Sequence, residues 1–411
     1  MALTESSTVA VVGASLAGLR AAETLRAEGY RGRLVLIGAE SHLPYDRPPL
    51  SKQFLAGTWD RDRIRLRAPE KIDALGLDLR LGLRATALDT AGRSLDLDDG
   101  GRLPYDGLVL ATGAHPRVLP GTADHPAVHV LRTLDDSSAL AAAVGPGTRV
   151  VVVGAGFIGA EVAATCVGLG AAVTIVEPLP TPLARVLGEE MGAVCGLLQV
   201  DHGVDLRTGV GVDSVGRPDP GEAGATPARV ELADGTTLEA DVVVVGIGVI
   251  PTTDWLEGSG LELSNGVVAD AGLSAADGVV VAGDLARWLD RESGEHRRVE
   301  HWTNATEQAV VAARNLLRGP TGAEDYRPVP YFWSDQYDVK LQVLGYPAPD
   351  DEVVLVEGSG SLADCRFVAL YGRGSRLAAV LGFGRPRQLM GYRPLLEAGA
   401  SFDEALAYRP G

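Results

Sequence analysis

The sequence predicts an α/β protein with two parallel-sheet domains and a small α+β domain at its C-terminal end. A strand, a glycine-rich turn, a helix and a second strand followed by an acidic residue occur in that order twice, from Thr8 and again from Arg149. After Gly322 the pattern changes to alternating short strands without such a turn. A length of 411 residues suits two or three domains, and these patterns make three the expected number.

The composition excludes several classes of function. Acidic residues outnumber basic residues by 54 to 37, and the resulting net charge of −17 disfavours nucleic acid or an anionic membrane as a partner. Residues 1–8 do not resemble a signal peptide, and the apolar stretch 242–250 is too short to span a membrane. We therefore expect a cytoplasmic protein. The three cysteines are too few and too dispersed for a disulfide framework or a metal site, and we expect buried free thiols at Cys166, Cys195 and Cys365.

The first glycine turn, residues 13–18, follows the predicted strand Thr8–Val12. Gly13 permits the tight turn, and the N-terminus of the helix that follows offers unpaired N–H groups to a pyrophosphate. Glu40, after the second strand, is placed to accept hydrogen bonds from ribose hydroxyls. Ser15 stands where a second glycine is usual, and its small side chain preserves the prediction of a Rossmann-like dinucleotide-binding domain.

The second glycine turn, residues 154–159, follows the predicted strand Arg149–Val153 and carries the complete GxGxxG pattern. Its second strand ends in the acidic residue Glu177. One such motif is a weak signal and can be a turn that binds nothing. Two copies, each in its own strand and helix context, predict two bound dinucleotides.

Two dinucleotides indicate hydride chemistry, in which a nicotinamide lies about 3–3.5 Å from its acceptor. A flavin on the other glycine turn is the natural acceptor. Glu177 accepts from a ribose 2′-OH but repels a 2′-phosphate, and no basic residue follows it until Arg185. The sequence therefore favours NADH over NADPH. A further strand, residues 278–283, ends at Asp284, which either accepts from the flavin ribityl hydroxyls or caps a helix.

The sequence resembles a known family, the FAD-dependent NADH:ferredoxin reductases of the putidaredoxin reductase type, which serve bacterial haem-thiolate monooxygenases and Rieske-type ring-hydroxylating dioxygenases. The string Pro-Tyr-Asp-Arg-Pro-Pro-Leu-Ser-Lys at residues 44–52 is its most specific sign. The resemblance also rests on the two glycine turns and on residues 111–113, 246–251, 283–284, 301–305 and 330–333. The family is related in fold to glutathione reductase, but no cysteine precedes Cys166, so a dithiol reductase is not expected.

The resemblance covers nearly the whole chain and implies FAD and NADH as cofactors. The residues implied to bind FAD are Gly13, Ser15, Gly18, Glu40, Arg47, Lys52, Ala111, Thr112, Gly113, Asp284 and Trp302. Those implied to bind NAD are Gly154, Gly156, Phe157, Ile158, Gly159, Glu177 and Gly248.

The resemblance also implies two catalytic residues, Lys52 and Glu161, paired at the site where the hydride passes. Lys52 is one of only three lysines in the chain, which suits a fixed charge near the flavin. Two alternatives stay open at this point. Glu161 is otherwise a helix N-terminal acid that complements the helix dipole, and Trp302 is otherwise a core aromatic residue. His301 is assigned no catalytic role, because hydride transfer from NADH needs no general base.

The expected domains are an FAD-binding domain at residues 1–115 and 247–322, an NAD-binding domain at residues 116–246 and a C-terminal α+β domain at residues 323–411. In the third domain we expect strands at 339–344, 352–357, 365–371 and 377–382, and helix from Gln388 onward.

The resemblance implies a 2Fe-2S ferredoxin as partner, and such proteins are typically acidic. Docking on a chain of charge −17 then requires local basic clusters. If residues 61–67 are extended, their four arginines share one face. The candidate docking residues are Arg61, Arg63, Arg65, Arg67, Arg297, Arg298, Trp333 and Lys340. For the charged residues the alternative is a solvated face, and for Trp333 it is an interdomain core.

Two other functions fit the same motifs. One is an NADH-dependent flavoprotein that reduces rubredoxin, a quinone or another small acceptor. The other is a flavin- and NADH-binding interaction protein, in which a long-lived reduced complex alters association and turnover is incidental.

Overall fold

In the computed structural model, which describes residues 3–217, 227–356 and 358–409, the chain forms two compact units. The first consists of Met1–Asp46, Asp62–His115 and Ile250–Pro328. The second consists of Arg47–Arg61, Pro116–Val249 and Val329–Gly411. The finer division into three domains, at residues 115, 246 and 322, stays a prediction.

The first unit is built on a six-stranded sheet whose inner strands are buried on both faces, as their continuous β-branched and apolar runs require. All neighbouring strands run parallel except the first pair, which is antiparallel. In order across the sheet the strands are Ser274–Ala276, Val279–Val281, Gly107–Leu110, Thr8–Val12, Arg33–Gly38 and Asp78–Leu81.

Two long helices of the first unit, Leu16–Ala27 and Trp302–Arg318, pack against each other through buried alanines. A short helix covers Pro69–Asp73, and single 3₁₀ turns cover Asp254–Leu256, Gly283–Leu285 and Pro320–Gly322. Two three-stranded sheets complete the unit, one of Ala85–Asp89, Ser94–Leu97 and Arg102–Pro104, the other of Val267–Ala269, Ala286–Asp290 and Glu295–Arg297.

The second unit contains a parallel five-stranded sheet, in the order Asp205–Thr208, Ala172–Glu177, Arg149–Val153, Val242–Val245 and Val128–Val130. Its helices are Leu134–Ala143, Phe157–Gly168 and Ala184–Asp201, the last kinked at Gly188, where φ is +79°. A 3₁₀ turn covers Pro48–Ser51, and a three-stranded sheet consists of Val212–Gly216, Ala228–Leu232 and Thr237–Ala240. Two short strands, Ala114–Pro116 and Val249–Pro251, lie where the chain passes from one unit to the other.

The C-terminal part of the second unit is an antiparallel sheet with the order Tyr331–Gln336, Val339–Gly345, Arg376–Phe383, Phe367–Arg373 and Glu352–Leu355. The prediction that a strand begins at Cys365 is wrong, because that residue has φ of +47° and the strand starts two residues later. The predicted end of another strand at residue 357 lies outside the described residues. The final helical stretch is three short helices, Pro386–Gly391, Arg393–Glu397 and Phe402–Ala407.

All three cysteines are buried and free, as predicted. Burial raises the pKa of the Cys166 and Cys195 thiols to about 12. Within the described ranges of the chain, no helix is both long and apolar enough to cross a membrane.

Candidate functional site

Only glycine fits sterically at the two ends of the first glycine turn. Gly13 has φ of +114°, and a Cβ there would lie 2.1 Å from the Ala111 carbonyl oxygen. A Cβ on Gly18 would lie 1.7 Å from the Gly13 oxygen. Ser15 occupies the N-cap of the helix Leu16–Ala27, and its hydroxyl caps none of that helix's N–H groups in the described part of the chain. Those N–H groups stay available to an anion.

Three turns of the first unit meet at one edge of its sheet, because each follows one of three neighbouring parallel strands. They begin at Gly13, Ala111 and Gly283. The interpretation of Asp284 as a helix cap is wrong, because Ala282 holds the N-cap position and Asp284 lies inside a single 3₁₀ turn. This edge, with its free helix N-terminus and close backbone approach, fits a dinucleotide.

The acidic and aromatic residues predicted at this edge are held by side chains that the sequence did not single out. The Tyr45 hydroxyl donates a hydrogen bond to the Glu40 carboxylate. The Trp302 indole N–H donates to Asp46 at 2.7 Å, and with 37% of its surface exposed Trp302 is not a core aromatic residue. Tyr45 and Asp46 both lie in the proline-rich string at residues 44–52, and this string was the sequence feature that could have indicated their role.

The second glycine turn also requires glycine at both of its ends, but the protein does not require it at the centre of the turn. A Cβ on Gly154 would lie 2.5 Å from the Gly246 oxygen, and one on Gly159 would lie 2.1 Å from the Gly154 oxygen. Gly156 has φ of −72°, and among the described residues the nearest atom to a Cβ there is 3.9 Å away. The protein itself does not require glycine at this position. The space instead fits the close approach of a pyrophosphate to the backbone.

Glu177 is buried and braces the second turn from the end of its strand. Its carboxylate accepts the Ala155 N–H at 2.8 Å and the Leu179 N–H at 3.0 Å. A carboxylate has about four acceptor positions, so two remain for ribose hydroxyls. Gly248, with φ of +98°, lies in the turn after the neighbouring strand Val242–Val245.

The first two residues of the helix Phe157–Gly168 point in different directions. The Phe157 ring packs edge-on against Phe332 of the C-terminal sheet, with ring centroids 4.9 Å apart. Ile158 is exposed. The Phe157 ring thus connects the helix to the antiparallel sheet and is itself only partly buried.

The structure brings Lys52 and Glu161 together. The Lys52 Nζ lies 2.7 Å from Glu161 Oε2, and the two side chains are 11% and 4% exposed. Glu161 is the fifth residue of its helix and lies beyond the first turn, so the alternative of an acid at the helix N-terminus is wrong. Arg47, in the same loop as Lys52, donates to the Arg132 carbonyl oxygen.

Two serines that sequence reasoning missed also hold Glu161. The Ser51 hydroxyl donates to Oε2 at 2.5 Å, and the Ser334 hydroxyl donates to Oε1 at 2.8 Å. The Asp335 N–H adds a third, longer bond of 3.3 Å to Oε1. The sequence carried no signal for Ser334, because residues 331–336 do not alternate between apolar and polar, and the alternate burial of this strand is seen only in the structure.

The arginines of residues 61–67 do not share the face predicted for them. Residues 61–64 form a turn, with the Arg65 N–H donating to the Asp62 oxygen, so the expected extended stretch is wrong. Arg65 and Arg67 are exposed and form ion pairs with Asp62 and Glu23. These pairs reduce the local positive charge. Arg61 and Arg63 are exposed as well.

The other docking candidates are also engaged. Arg297 forms ion pairs with Asp290 and Glu295, and Arg298, whose side chain is only 10% exposed, pairs with Glu300. Lys340 pairs with Asp335 at 2.6 Å and lies 5.9 Å from the centre of the Trp333 ring. Trp333 is half-buried, which leaves both of its interpretations open.

Two glycine turns at the carboxyl edges of two parallel sheets define a class of protein, an oxidoreductase that binds two dinucleotides. The chain belongs to the pyridine nucleotide-disulphide oxidoreductase family, whose model matches residues 7–309. A reductase C-terminal model matches residues 331–410.

Particular relatives sharpen this assignment. The ferredoxin-NAD(+) reductase component of the anthranilate 1,2-dioxygenase system of Burkholderia cepacia is 39% identical over 396 residues, which are 96% of this chain and 95% of that protein. The ferredoxin reductase for the CYP199A2 system of Rhodopseudomonas palustris has a TM-score of 0.89 and 37% identity, covering 96% of this chain and 95% of that one. The covalent putidaredoxin reductase-putidaredoxin complex gives a TM-score of 0.87 and 33% identity, covering 96% and 93%. The predicted resemblance and fold class are confirmed.

Proposed function

We propose that this chain is an NADH-dependent FAD flavoprotein that reduces a 2Fe-2S ferredoxin, which in turn supplies a bacterial haem-thiolate monooxygenase or a ring-hydroxylating dioxygenase. When bound, FAD would supply the chemistry that converts a two-electron hydride from NADH into single electrons for the ferredoxin. Two relatives of this chain are ferredoxin reductase components of dioxygenase systems, and a third is a putidaredoxin reductase. The observation that carries the proposal is the buried ion pair of Lys52 with Glu161, which lies on the helix that starts at the second glycine turn. A cytoplasmic location suits the use of NADH.

Each cofactor has its own set of residues. In the first unit FAD is held by the turn at residues 13–18, the turn at residues 111–113, Glu40, Asp284 and the start of the Trp302 helix. In the second unit NADH is held by the turn at residues 154–159, Gly248 and Glu177. Arg47 and Lys52 are added to the FAD set by the resemblance.

Lys52 and Glu161 are the residues we assign to the hydride step. Glu161 holds the Lys52 ammonium in one place, and Ser51 and Ser334 hold Glu161. The Lys52 ammonium is therefore held in a fixed position beside the helix Phe157–Gly168, and it needs no reorganisation during the reaction.

Glu177 selects the nicotinamide cofactor. Its carboxylate is fixed by two backbone N–H groups, so it cannot swing away from a 2′-phosphate. A 2′-phosphate would add negative charge beside it, whereas a 2′-OH would donate to it. NADH is therefore the preferred donor.

The ferredoxin docks on a local cluster of basic residues, although the net charge of the whole chain is −17. The candidates are the exposed arginines Arg61, Arg63, Arg65 and Arg67, together with Arg297, Arg298 and Lys340, and with Trp333 beside Lys340. The competing acceptors, rubredoxin and quinones, are distinguished by assay.

The NADH assignment is tested with Gly156→Ala, because the protein leaves 3.9 Å around the new Cβ and the fold should tolerate it. We expect the Kd for NADH to rise about tenfold, since the methyl group occupies space meant for the pyrophosphate. Gly168→Ala is the matched control, because a Cβ there meets no atom within 4 Å in the described part of the chain. Equal NADH affinity in the two variants would remove the second turn from the cofactor site.

The function as a whole is tested by rapid mixing. NADH should bleach the flavin absorbance of the purified protein, and a 2Fe-2S ferredoxin should restore it faster than a rubredoxin or a quinone. A reduced complex that persists in the presence of every carrier would favour the interaction protein. A protein that is purified without FAD and does not take it up would contradict the proposal.

A further inference from the structure

A series of buried polar side chains leads through the second unit to Glu161. Ser334 and Gln336 lie on the strand Tyr331–Gln336, Gln199 lies on the helix Ala184–Asp201, and Tyr337 follows the strand. Ser334 is 0% exposed, and Gln336 and Gln199 are each 1% exposed. Buried polar groups are costly unless each finds a partner, so the arrangement of their hydrogen bonds is informative.

All the hydrogen bonds in this series point the same way. Tyr337 donates its hydroxyl to Gln199 Oε1 at 2.8 Å, and Gln199 donates to Gln336 Oε1 at 2.9 Å. Gln336 donates to Ser334 Oγ at 3.3 Å, and Ser334 donates to Glu161 Oε1 at 2.8 Å. Each donor is directed toward the Glu161 carboxylate. Hydrogen bonds oriented in one direction polarise each other and strengthen the bond at the charged end.

The far end of the series is held in its donating state. Burial raises the pKa of the Tyr337 phenol above its ordinary value, so the hydroxyl keeps its proton. The His202 ring stacks on Tyr337 with centroids 3.6 Å apart and fixes the ring. The series therefore begins with a donor whose proton and position are both fixed.

The two oxygens of Glu161 have separate tasks. Oε2 receives Lys52 and Ser51, whereas Oε1 receives Ser334 and the longer bond from the Asp335 N–H. The last torsion of a glutamate side chain is soft, so a carboxylate held at one oxygen can still rotate. Ser334 supplies the short bond at the second oxygen. Without it, the position of the Lys52 ammonium is no longer tightly defined.

We propose that Ser334, supported by Gln336 and Gln199, is a positioning residue that fixes the Glu161 carboxylate and through it the Lys52 ammonium. The inference rests on the proposed function, in which this pair acts at the hydride step. It assigns to the antiparallel C-terminal sheet a part in arranging the NADH-side chemistry.

The position of Lys52 is measured directly by competitive amine labelling of the FAD-loaded protein. The chain has only three lysines, so the exposed Lys71 serves as an internal reference. In Ser334→Ala the labelling of Lys52 relative to Lys71 should rise about threefold, because its partner carboxylate is no longer fixed. Gln336→Met removes the donor behind Ser334 together with the oxygen that accepts from Gln199, and it should give a smaller rise in the same direction.

Ser359→Ala is the matched control. Ser359 is a buried serine of the same part of the chain, 1% exposed, and its hydroxyl donates to the Val356 oxygen and accepts from the Val368 N–H. Ser359→Ala removes one buried hydroxyl group, as Ser334→Ala does, but that hydroxyl makes no hydrogen bond to Glu161. We expect it to lower the melting temperature and leave Lys52 labelling unchanged.

The second readout is flavin reduction by NADH in rapid mixing. Ser334→Ala should slow the limiting rate constant about tenfold with an unchanged Kd for NADH, and deuterated NADH should show a larger isotope effect on turnover. Unchanged Lys52 labelling in Ser334→Ala, or an equal change in Ser359→Ala, would overturn the inference. A wild-type protein that takes no hydride from NADH would contradict the proposed function instead, and the labelling experiment would still decide the positioning role.

Discussion

Replacing Glu161 with glutamine should leave the buried ammonium of Lys52 without its counter-charge. Glutamine keeps the size of the side chain and an oxygen that can accept from Ser334, so packing changes little. Breaking a buried ion pair from one side typically costs about 3–5 kcal/mol of folding free energy. We expect Glu161→Gln to lie in that range.

The magnitude follows from the geometry of the pair. The Lys52 and Glu161 charges approach to 2.7 Å with side chains 11% and 4% exposed. At an effective dielectric constant of about 20 their attraction is about 6 kcal/mol. The loss of hydration of both ions offsets several kcal/mol of this, so the intact pair contributes little net stability. A lone Lys52 ammonium keeps the hydration penalty and loses the attraction.

A double-mutant cycle in urea measures this coupling. Unfolding free energies are compared for the wild type, Glu161→Gln, Lys52→Met and the double variant, all loaded with FAD. We expect a coupling energy of at least about 2 kcal/mol, because Lys52→Met removes the charge that Glu161→Gln leaves unpaired. The matched control is the exposed pair Arg33–Asp78, whose 2.6 Å separation is shorter but whose side chains are 50% and 34% exposed. Its coupling should stay below about 1 kcal/mol.

A coupling energy for Lys52 and Glu161 as small as that of the exposed control would refute this reasoning. It would mean that water reaches the ammonium in spite of the burial, and that the fixed charge assigned to the hydride step is an ordinary solvated one.

Three other changes test separate parts of the molecule. Glu177→Ala combined with Pro178→Arg should raise the ratio of kcat/KM for NADPH to that for NADH at least about tenfold, and an unchanged ratio would remove Glu177 from cofactor selection. Arg61→Glu with Arg63→Glu should slow ferredoxin reduction and weaken its dependence on salt while NADH-driven ferricyanide reduction persists, and equal loss in both assays would reject the docking residues. Burial lowers the pKa of His301 from 6.5 to about 4. Between pH 6.5 and about 4 the unfolded chain therefore binds a proton that the folded protein does not. The free energy of unfolding should fall by about 3 kcal/mol as the pH drops through this range. His301→Asn should lose this part of the pH dependence of the unfolding free energy, and a pH dependence equal to that of the wild type would contradict the assignment.

Features that depend on a few neighbouring residues could be predicted from the sequence. Gly13 and Gly154 have positive φ, and a backbone carbonyl lies where a Cβ would be, so only glycine fits at these two positions. The parallel sheets followed in the same way from the buried runs that precede these turns. The same local reasoning failed for residues 61–67, because alternation of arginines with other residues is compatible with a turn as well as with a strand.

Only the tertiary structure decided which side chains meet across long separations. The family resemblance implied that Glu161 pairs with Lys52, but the hydroxyl that holds its other oxygen belongs to Ser334, 173 residues further along the chain. Such a contact depends on the register of the strand Tyr331–Gln336 and on which of its faces lies against the helix Phe157–Gly168, since a shift of one residue would place Trp333 or Asp335 there instead. Local sterics determine the backbone of the cofactor turns, whereas the packing of distant elements determines how the charges beside them are held.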